Sequence, residues 1–168
     1  MYKIDSIKID GFWHKYNASC DFNHDVNIII GRNGTGKTTF MNILDAILTV
    51  NFDGLMNNEF ESAVIKLSKD GKTKTIKAIK IDDIEMPFMR IEYQISRTKH
   101  VVRIPYSSDT TVRMASHYRR RFLEESEEVR EQLQQLVSLS SLSVYRLRHE
   151  NDHEIRDKNG RQSIAPVD

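Results

Sequence analysis

Residues 31–39 read Gly-Arg-Asn-Gly-Thr-Gly-Lys-Thr-Thr and match the spacing G-x-x-x-x-G-K-[ST] at every fixed position. Glycines let a backbone adopt positive φ and approach a phosphate without a Cβ atom in the way. Successive N–H groups between Asn33 and Thr38 can then point at one anion. A helix that begins at Lys37 adds the positive end of its dipole to the same site. The pattern predicts a nucleotide phosphate site.

Each residue type in this loop has a predicted task. Lys37 would bridge the β- and γ-phosphate oxygens of ATP, and it is the residue assigned to catalysis. The hydroxyl of Thr38 would coordinate Mg²⁺, and Thr39 would reach the α-phosphate. The predicted ATP-binding residues are Arg32, Asn33, Gly34, Thr35, Gly36, Lys37, Thr38 and Thr39.

The segments on both sides of this loop have the composition that such a site requires. Residues 26–30, Val-Asn-Ile-Ile-Ile, form a compact β-branched run that is typical of a strand buried on both faces. After the loop, apolar residues recur at helical spacing from Phe40 to Leu48, which predicts a helix from Lys37 to about residue 50. The order is strand, glycine loop and helix.

The rest of the chain contains further strands and one long helix. Alternation predicts strands near residues 4–11 and 16–22 and two hairpins within residues 62–106, the first turning at Asp70-Gly71 and the second across residues 97–100. Apolar residues at 3.6-residue spacing predict a helix over residues 111–136. A short strand is expected at 142–147, followed by a polar tail over 149–168.

The loop resembles the G-x-N-G-x-G-K-[ST]-[ST] form of Walker A found in ABC-type P-loop ATPases, particularly the SMC, RecF and OLD-like branch. Those proteins also open with a strand and a phenylalanine-containing turn, as residues 7–12 do here. The resemblance implies the N-terminal lobe of such an ATPase, an α/β fold with an antiparallel β-hairpin subdomain and a C-terminal helix. It also implies heads that dimerise around ATP, a possible effector nuclease or toxin, possible DNA binding, and a role in antiphage defence or DNA maintenance.

Two motifs that such heads need are missing from the sequence after Lys37. A Walker B strand ends in Asp-Glu, and the nearest imitation, residues 79–83, has a lysine in its middle and is better explained as a half-exposed strand. The Ser-Gly signature motif is also missing, and Gln94 is a weak match to a Q-loop glutamine. The resemblance places these motifs in a C-terminal lobe, so hydrolysis would require that lobe.

Four weaker patterns each have a simpler structural explanation. Residues 149–153 match H-E-x-x-H, but their polar surroundings favour a solvated tail over zinc. The cluster Phe12-Trp13-His14-Lys15-Tyr16 could contact adenine and phosphate, or pack a strand edge. Residues 119–121 are three arginines that could touch DNA, although glutamates one turn later favour self-paired helix charges. Cys20 is interpreted as a small core residue.

Composition limits the remaining possibilities. The chain has 168 residues, 25 Lys+Arg against 24 Asp+Glu, and a mean hydropathy of −0.53. This length suits one domain, near neutrality argues against a highly basic histone-like protein, and no apolar run approaches the ~20 residues that span a bilayer. A single cysteine and a charged N-terminus indicate a cytoplasmic protein. An ABC-type head nevertheless needs two lobes, so this length suggests a fragment or one half of a split protein.

These observations give one leading hypothesis and two alternatives. The leading one is an ATP-binding lobe over residues 1–148, with its core at 1–55. The first alternative is a non-catalytic nucleotide-sensing or oligomerisation module, which the absent Walker B favours. The second, a small P-loop kinase, fits less well because no arginine-rich lid or acceptor site is recognisable.

Overall fold

The computed structural model describes residues 1–81, 86, 88–106 and 116–138, with the backbone alone at 116–119. It contains a six-stranded sheet in the order β2-β1-β3-β4-β5-β6, in which every neighbouring pair is antiparallel. The strands are β1 (Lys3–Phe12), β2 (Tyr16–Asp21), β3 (Ser62–Lys69), β4 (Lys72–Ile81), β5 (Phe88–Ile95) and β6 (Thr98–Pro105). The described fold is therefore α/β, built on an antiparallel sheet.

Alternation along the strands sorts their side chains between two faces. On β5, the residues Met89, Ile91, Tyr93 and Ile95 are buried, and the residues between them are partly exposed. The same period of two gives β1 a buried Ile7 and Ile9. Only one face of the sheet is lined by core residues, which agrees with the alternating pattern seen in the sequence.

Both predicted hairpins are confirmed. Lys69 pairs with Lys72 across a two-residue turn in which Asp70 and Gly71 have φ of 49° and 75°, as a type I′ turn requires. The second turn is tighter than the sequence indicated. It consists of Ser96 and Arg97 alone, so that Thr98 already pairs with Ile95.

Three helices accompany the sheet: α1 (Lys37–Thr49), α2 (Phe52–Asn57) and α3 (Ser116–Leu136). Helix α1 confirms the predicted helix, and its apolar residues at 40, 43, 44, 47 and 48 are buried. Helix α2 was not predicted from periodicity because it has only six residues. Its N-cap signal is Asn51, whose side chain accepts a hydrogen bond from the Gly54 N–H at 2.7 Å.

Helix α3 joins the core through Val129, Leu133 and Leu136. The N–H of Tyr2 donates to the Leu136 carbonyl at 2.9 Å, which ties the end of α3 to the start of β1. The predicted end of the helix is confirmed, whereas residues 111–115 of the predicted range lie outside the described residues. The strand predicted at 142–147 and the tail at 149–168 lie outside them too. No helix in the described part of the chain is long and apolar enough to span a membrane.

The prediction of a buried strand at residues 26–30 is wrong. This segment has no strand pairing, and Val26, Ile28 and Ile30 are 75%, 80% and 85% exposed. An extended segment becomes a strand only where another strand supplies hydrogen-bond donors and acceptors. Strand β1 already pairs with β2 on one side and β3 on the other. The apolar run therefore leads into the glycine loop without entering the sheet.

Candidate functional site

The glycine loop, residues 31–36, connects the exposed segment 26–30 to α1. Gly34 and Gly36 have φ of 82° and 87°, a region that residues with a side chain rarely adopt. Alternation of left-handed with ordinary residues turns successive N–H groups toward one side, which is how backbone nests bind anions. The sequence prediction that these glycines serve conformation is confirmed at both positions.

Lys37 folds back onto this loop. Its Nζ donates to the carbonyls of Gly31 and Arg32, each at 2.8 Å, and the Thr35 hydroxyl donates to the same Arg32 carbonyl at 2.9 Å. The ammonium is therefore held at the mouth of the loop by weak, uncharged acceptors. A phosphate oxygen would be a stronger acceptor, because hydrogen bonds between charged groups are roughly twice as strong.

The first turn of α1 is free of the groups that would compete with an anion. Its N-cap is Gly36, which has no side chain to accept from the first N–H groups, and the turn contains no acidic residue. The helix dipole therefore adds positive potential that no carboxylate on this turn neutralises. Thr38 is exposed and Thr39 partly exposed, so both hydroxyls are accessible at the mouth of the loop.

The tip of the β1–β2 hairpin packs on Gly36. The rings of Phe12 and Trp13 lie with centroids 4.9 Å apart, and a Cβ atom built on Gly36 would be 2.9 Å from Cε1 and Cζ of Phe12 and 3.1 Å from Cη2 of Trp13. Only glycine fits this contact. The sequence placed this aromatic cluster near the nucleotide, and the structure brings Phe12 and Trp13, but not the whole cluster, to the loop.

The other members of the aromatic cluster have different positions. Trp13 and His14 adopt positive φ of 52° and 60° in the turn. His14 Nε2 lies 3.2 Å from Glu59 Oε2, and the Trp13 N–H donates to the Glu59 carbonyl at 3.2 Å. Tyr16 is 59% exposed at the start of β2. Glu59, which sequence reasoning did not single out, thus fixes the hairpin tip beside the glycine loop.

The opposite end of α1 is held by two residues that the sequence did not single out. Arg130 on α3 donates from Nε to the Thr49 carbonyl at 3.2 Å and from Nη2 to the Val50 carbonyl at 3.4 Å. The buried Tyr93 hydroxyl donates to the Ile47 carbonyl at 3.1 Å. Burial raises the pKa of the Tyr93 phenol despite the nearby Arg130 charge, so it remains a donor. A cation at a helix C-terminus also complements the helix dipole.

A family model described as an AAA domain matches residues 6–164 of the chain. The chain belongs to this family. Membership indicates a nucleotide-binding domain, in agreement with the glycine loop at the start of α1. No curated protein matches the sequence.

The residues of this AAA domain can supply part of a magnesium site. The Thr38 hydroxyl is one oxygen ligand at the start of α1, and Mg²⁺ in such proteins takes further ligands from nucleotide phosphates and water. Within residues 1–81, 86, 88–106 and 116–138, no group of three or more His, Cys, Asp or Glu side chains could hold a metal. The donor set thus fits an ion that arrives with the nucleotide.

Other residues considered from the sequence lie away from the glycine loop. Gln94 is on β5, three strands from β1, and donates to the Ser96 carbonyl at 3.1 Å. The imitation of Walker B enters β4, which ends at Ile81, and its two aspartates fall outside the described residues, as do residues 149–153. Cys20 is partly buried against the core.

The arginines of α3 are engaged with their own helix. Arg120 Nε lies 2.8 Å from Glu124 Oε1, and Arg121 Nε lies 3.2 Å from Glu125 Oε1. Both pairs have the predicted i,i+4 spacing, which confirms the self-paired helix face. The side chain of Arg119 is not among those described.

Proposed function

We propose that this AAA domain binds ATP with Mg²⁺ through the glycine loop and the first turn of α1. The observation that carries the proposal is the position of Lys37, whose ammonium is held 2.8 Å from two carbonyls of a loop with two left-handed glycines. A charged donor, inward-facing N–H groups and a helix N-terminus converge there, and each of them favours phosphate.

Binding would exchange weak contacts for strong ones. Lys37 would give up the carbonyls of Gly31 and Arg32 for β- and γ-phosphate oxygens, and its charge would offset the charge that develops during phosphoryl transfer. The N–H groups of residues 33–38 would hold the phosphates, with Thr39 near the α-phosphate. Mg²⁺, when bound, neutralises phosphate charge, and Thr38 would supply one of its ligands.

A second lobe would complete the site for hydrolysis. We propose that it packs on residues 26–30, where three side chains are at least three-quarters exposed beside the loop. A strand from that lobe would supply the missing hydrogen-bond partners, and its acidic residues would polarise the attacking water. The resemblance to the SMC, RecF and OLD-like branch supports this completion.

The same resemblance suggests the biological setting. Two completed heads would close as a dimer around ATP, and this closure would regulate an effector, such as a nuclease or toxin, in antiphage defence or DNA maintenance. These roles rest on analogy with the branch, because the residues of the glycine loop account for nucleotide binding alone.

Titration with Mg-ATP tests the binding proposal directly. Trp13 is the only tryptophan of the chain and contacts Gly36, so its fluorescence reports on the loop. Lys37→Ala should weaken binding at least about tenfold, the loss expected for a charged hydrogen bond. Lys8→Ala, a lysine on the sheet paired with Asp10, is the matched control and should bind as the unmodified chain does. Failure of the unmodified chain to bind Mg-ATP would overturn the proposal.

A second candidate function is nucleotide sensing without hydrolysis at this site. The exposed segment 26–30 favours it as well, since ATP binding next to an apolar surface could organise an assembly. Turnover separates the two: the chain is assayed alone and with a C-terminal lobe that contains Walker B and signature motifs. Turnover that appears only with that lobe supports the ATPase, whereas assembly with unhydrolysed ATP supports the sensor.

A further inference from the structure

One end of the sheet concentrates positive charge in a nearly neutral chain. The formal net charge is +1, yet residues 66–77 contain five lysines and a single acidic residue, Asp70. These residues form the far half of β3, the turn and the near half of β4. The excess is therefore local, and glutamates elsewhere, several of them on α3, balance it.

The tertiary structure adds the cations of a second hairpin to this end. The Ser96 N–H donates to the Thr75 carbonyl at 2.7 Å, so the β5–β6 turn lies beside β4. Gln94 pairs with Lys77 on one side and with Lys99 on the other. We name the combined surface the basic end; its members are Lys66, Lys69, Lys72, Lys77, Arg97 and Lys99.

Nothing in the described part of the chain neutralises the basic end. None of its six cations has an ion pair or side-chain hydrogen bond there, and five of the six are exposed. Lys69 and Lys72 are even direct partners in the β3–β4 register. Like charges directly opposite each other on a sheet are destabilising, so this arrangement gives the fold no benefit.

We propose that the basic end binds the phosphate backbone of nucleic acid. Neighbouring strands lie ~4.8 Å apart and same-face residues recur every ~6.7 Å, so these cations form a two-dimensional grid that a long polyanion can follow. No large exposed apolar side chain accompanies them between residues 66 and 77 or between 96 and 99, unlike surfaces that bind membranes with an apolar face.

The basic end is separate from the glycine loop. β1 runs from Lys3, which pairs with Ser68 near the β3–β4 turn, to Phe12, which contacts Gly36. Its ten residues span roughly 30 Å. A nucleic acid at the basic end would leave the nucleotide site accessible, so the two ligands can bind together.

Acidic residues define the limits of this surface. Glu92 faces Ile79 and Val101 one pair beyond Gln94, and Glu128 on α3 lies 3.5 Å from His100. Each would repel a phosphate backbone that extended further across the sheet. The surface presents charge without a protruding helix or ribbon for a groove, so binding should depend on salt and hardly on sequence.

Binding of labelled DNA measured by fluorescence anisotropy tests the proposal. A 30-base-pair duplex and a 30-nucleotide single strand, each in two unrelated sequences, are titrated with the full chain between 50 and 200 mM salt. The double variant Lys69→Gln/Lys72→Gln should bind about tenfold more weakly at 50 mM salt. Its slope of log affinity against log salt should be smaller by about 2, one per phosphate contact.

The matched control removes the same charge from α3. Arg120→Gln/Arg121→Gln eliminates two cations that are already paired with Glu124 and Glu125, and it should leave affinity and slope unchanged. The conservative variant Lys69→Arg/Lys72→Arg should retain binding. Mg-ATP titration of every variant verifies folding and keeps failure at the basic end distinct from failure of the nucleotide site.

Three results would overturn the proposal. The first is the absence of binding to either nucleic acid at 50 mM salt. The second is an equal loss in the α3 control, which would mean that net charge rather than this surface matters. The third is binding to vesicles containing phosphatidylserine but to neither DNA, which would assign the basic end to an anionic membrane.

Discussion

A Cβ atom on Gly36 would lie 2.9 Å from the ring of Phe12, so the first turn of α1 and the tip of the β1–β2 hairpin meet where only hydrogen fits. Gly34, two residues earlier, has nearly the same φ but no heavy atom within 4 Å of its hypothetical Cβ. The two glycines therefore separate the cost of backbone strain from the cost of the contact.

Substitution of both glycines by alanine makes use of this difference. Gly34→Ala should destabilise the fold by about 1–2 kcal/mol, the cost of a left-handed residue with a side chain. Gly36→Ala should cost about 1–3 kcal/mol more, because Phe12 and Trp13 must move. Urea unfolding measures both costs. Gly36→Ala alone should also shift Trp13 fluorescence to longer wavelength, and equal destabilisation by the two variants would contradict the contact.

Arg130→Met should destabilise the fold by about 1–2 kcal/mol. The methionine retains apolar volume, but the carbonyls of Thr49 and Val50 lose a charged donor at the C-terminus of α1. Arg120→Met, in an ion pair whose arginine side chain is 83% exposed, is the control and should change stability by less than about 0.5 kcal/mol. Similar effects of the two variants in urea unfolding would show that Arg130 does not cap α1.

Tyr93 should make stability depend on alkaline pH. Burial raises its pKa in the folded protein above the ordinary value of 10.0, so the folded state retains a proton that the unfolded state releases. This contribution is fully present below pH 10 and is lost as pH rises above 10, by at most about 1.4 kcal/mol per pH unit.

The variant Tyr93→Phe isolates that contribution. It should cost about 1 kcal/mol at pH 7, because the Ile47 carbonyl loses its donor, and it should reduce the loss of stability between pH 10 and 11. The exposed Tyr16→Phe should alter neither quantity. An unchanged alkaline slope in Tyr93→Phe, measured by urea unfolding at each pH, would contradict a buried neutral phenol.

Isoleucines in two environments test the exposure of segment 26–30. Ile30→Ala should change the free energy of unfolding by less than about 0.5 kcal/mol, since this side chain is 85% exposed. The same substitution at the fully buried Ile43 should cost about 2–5 kcal/mol. Comparable losses would mean that Ile30 is covered in solution. Sedimentation of both variants reveals whether self-association provides that cover.

Much of the fold follows from local patterns. The apolar spacing of residues 40–48 specified α1, and Asp70-Gly71 specified a two-residue turn, because dihedral preferences and burial periods act over a few residues. The short helix α2 escaped detection, since six residues hold too little periodicity. Residues 26–30 have the composition of a buried strand, but composition cannot supply a neighbouring strand.

The sequence by itself determined the glycine loop, the lysine that folds onto it and the helix that follows, because each depends on residues adjacent in the chain. Only the tertiary structure decided that Phe12 closes against Gly36, that Arg130 caps α1 from 80 residues away, and that two hairpin turns form one basic end. These contacts depend on strand order and helix packing, which arise from long-range burial and pairing.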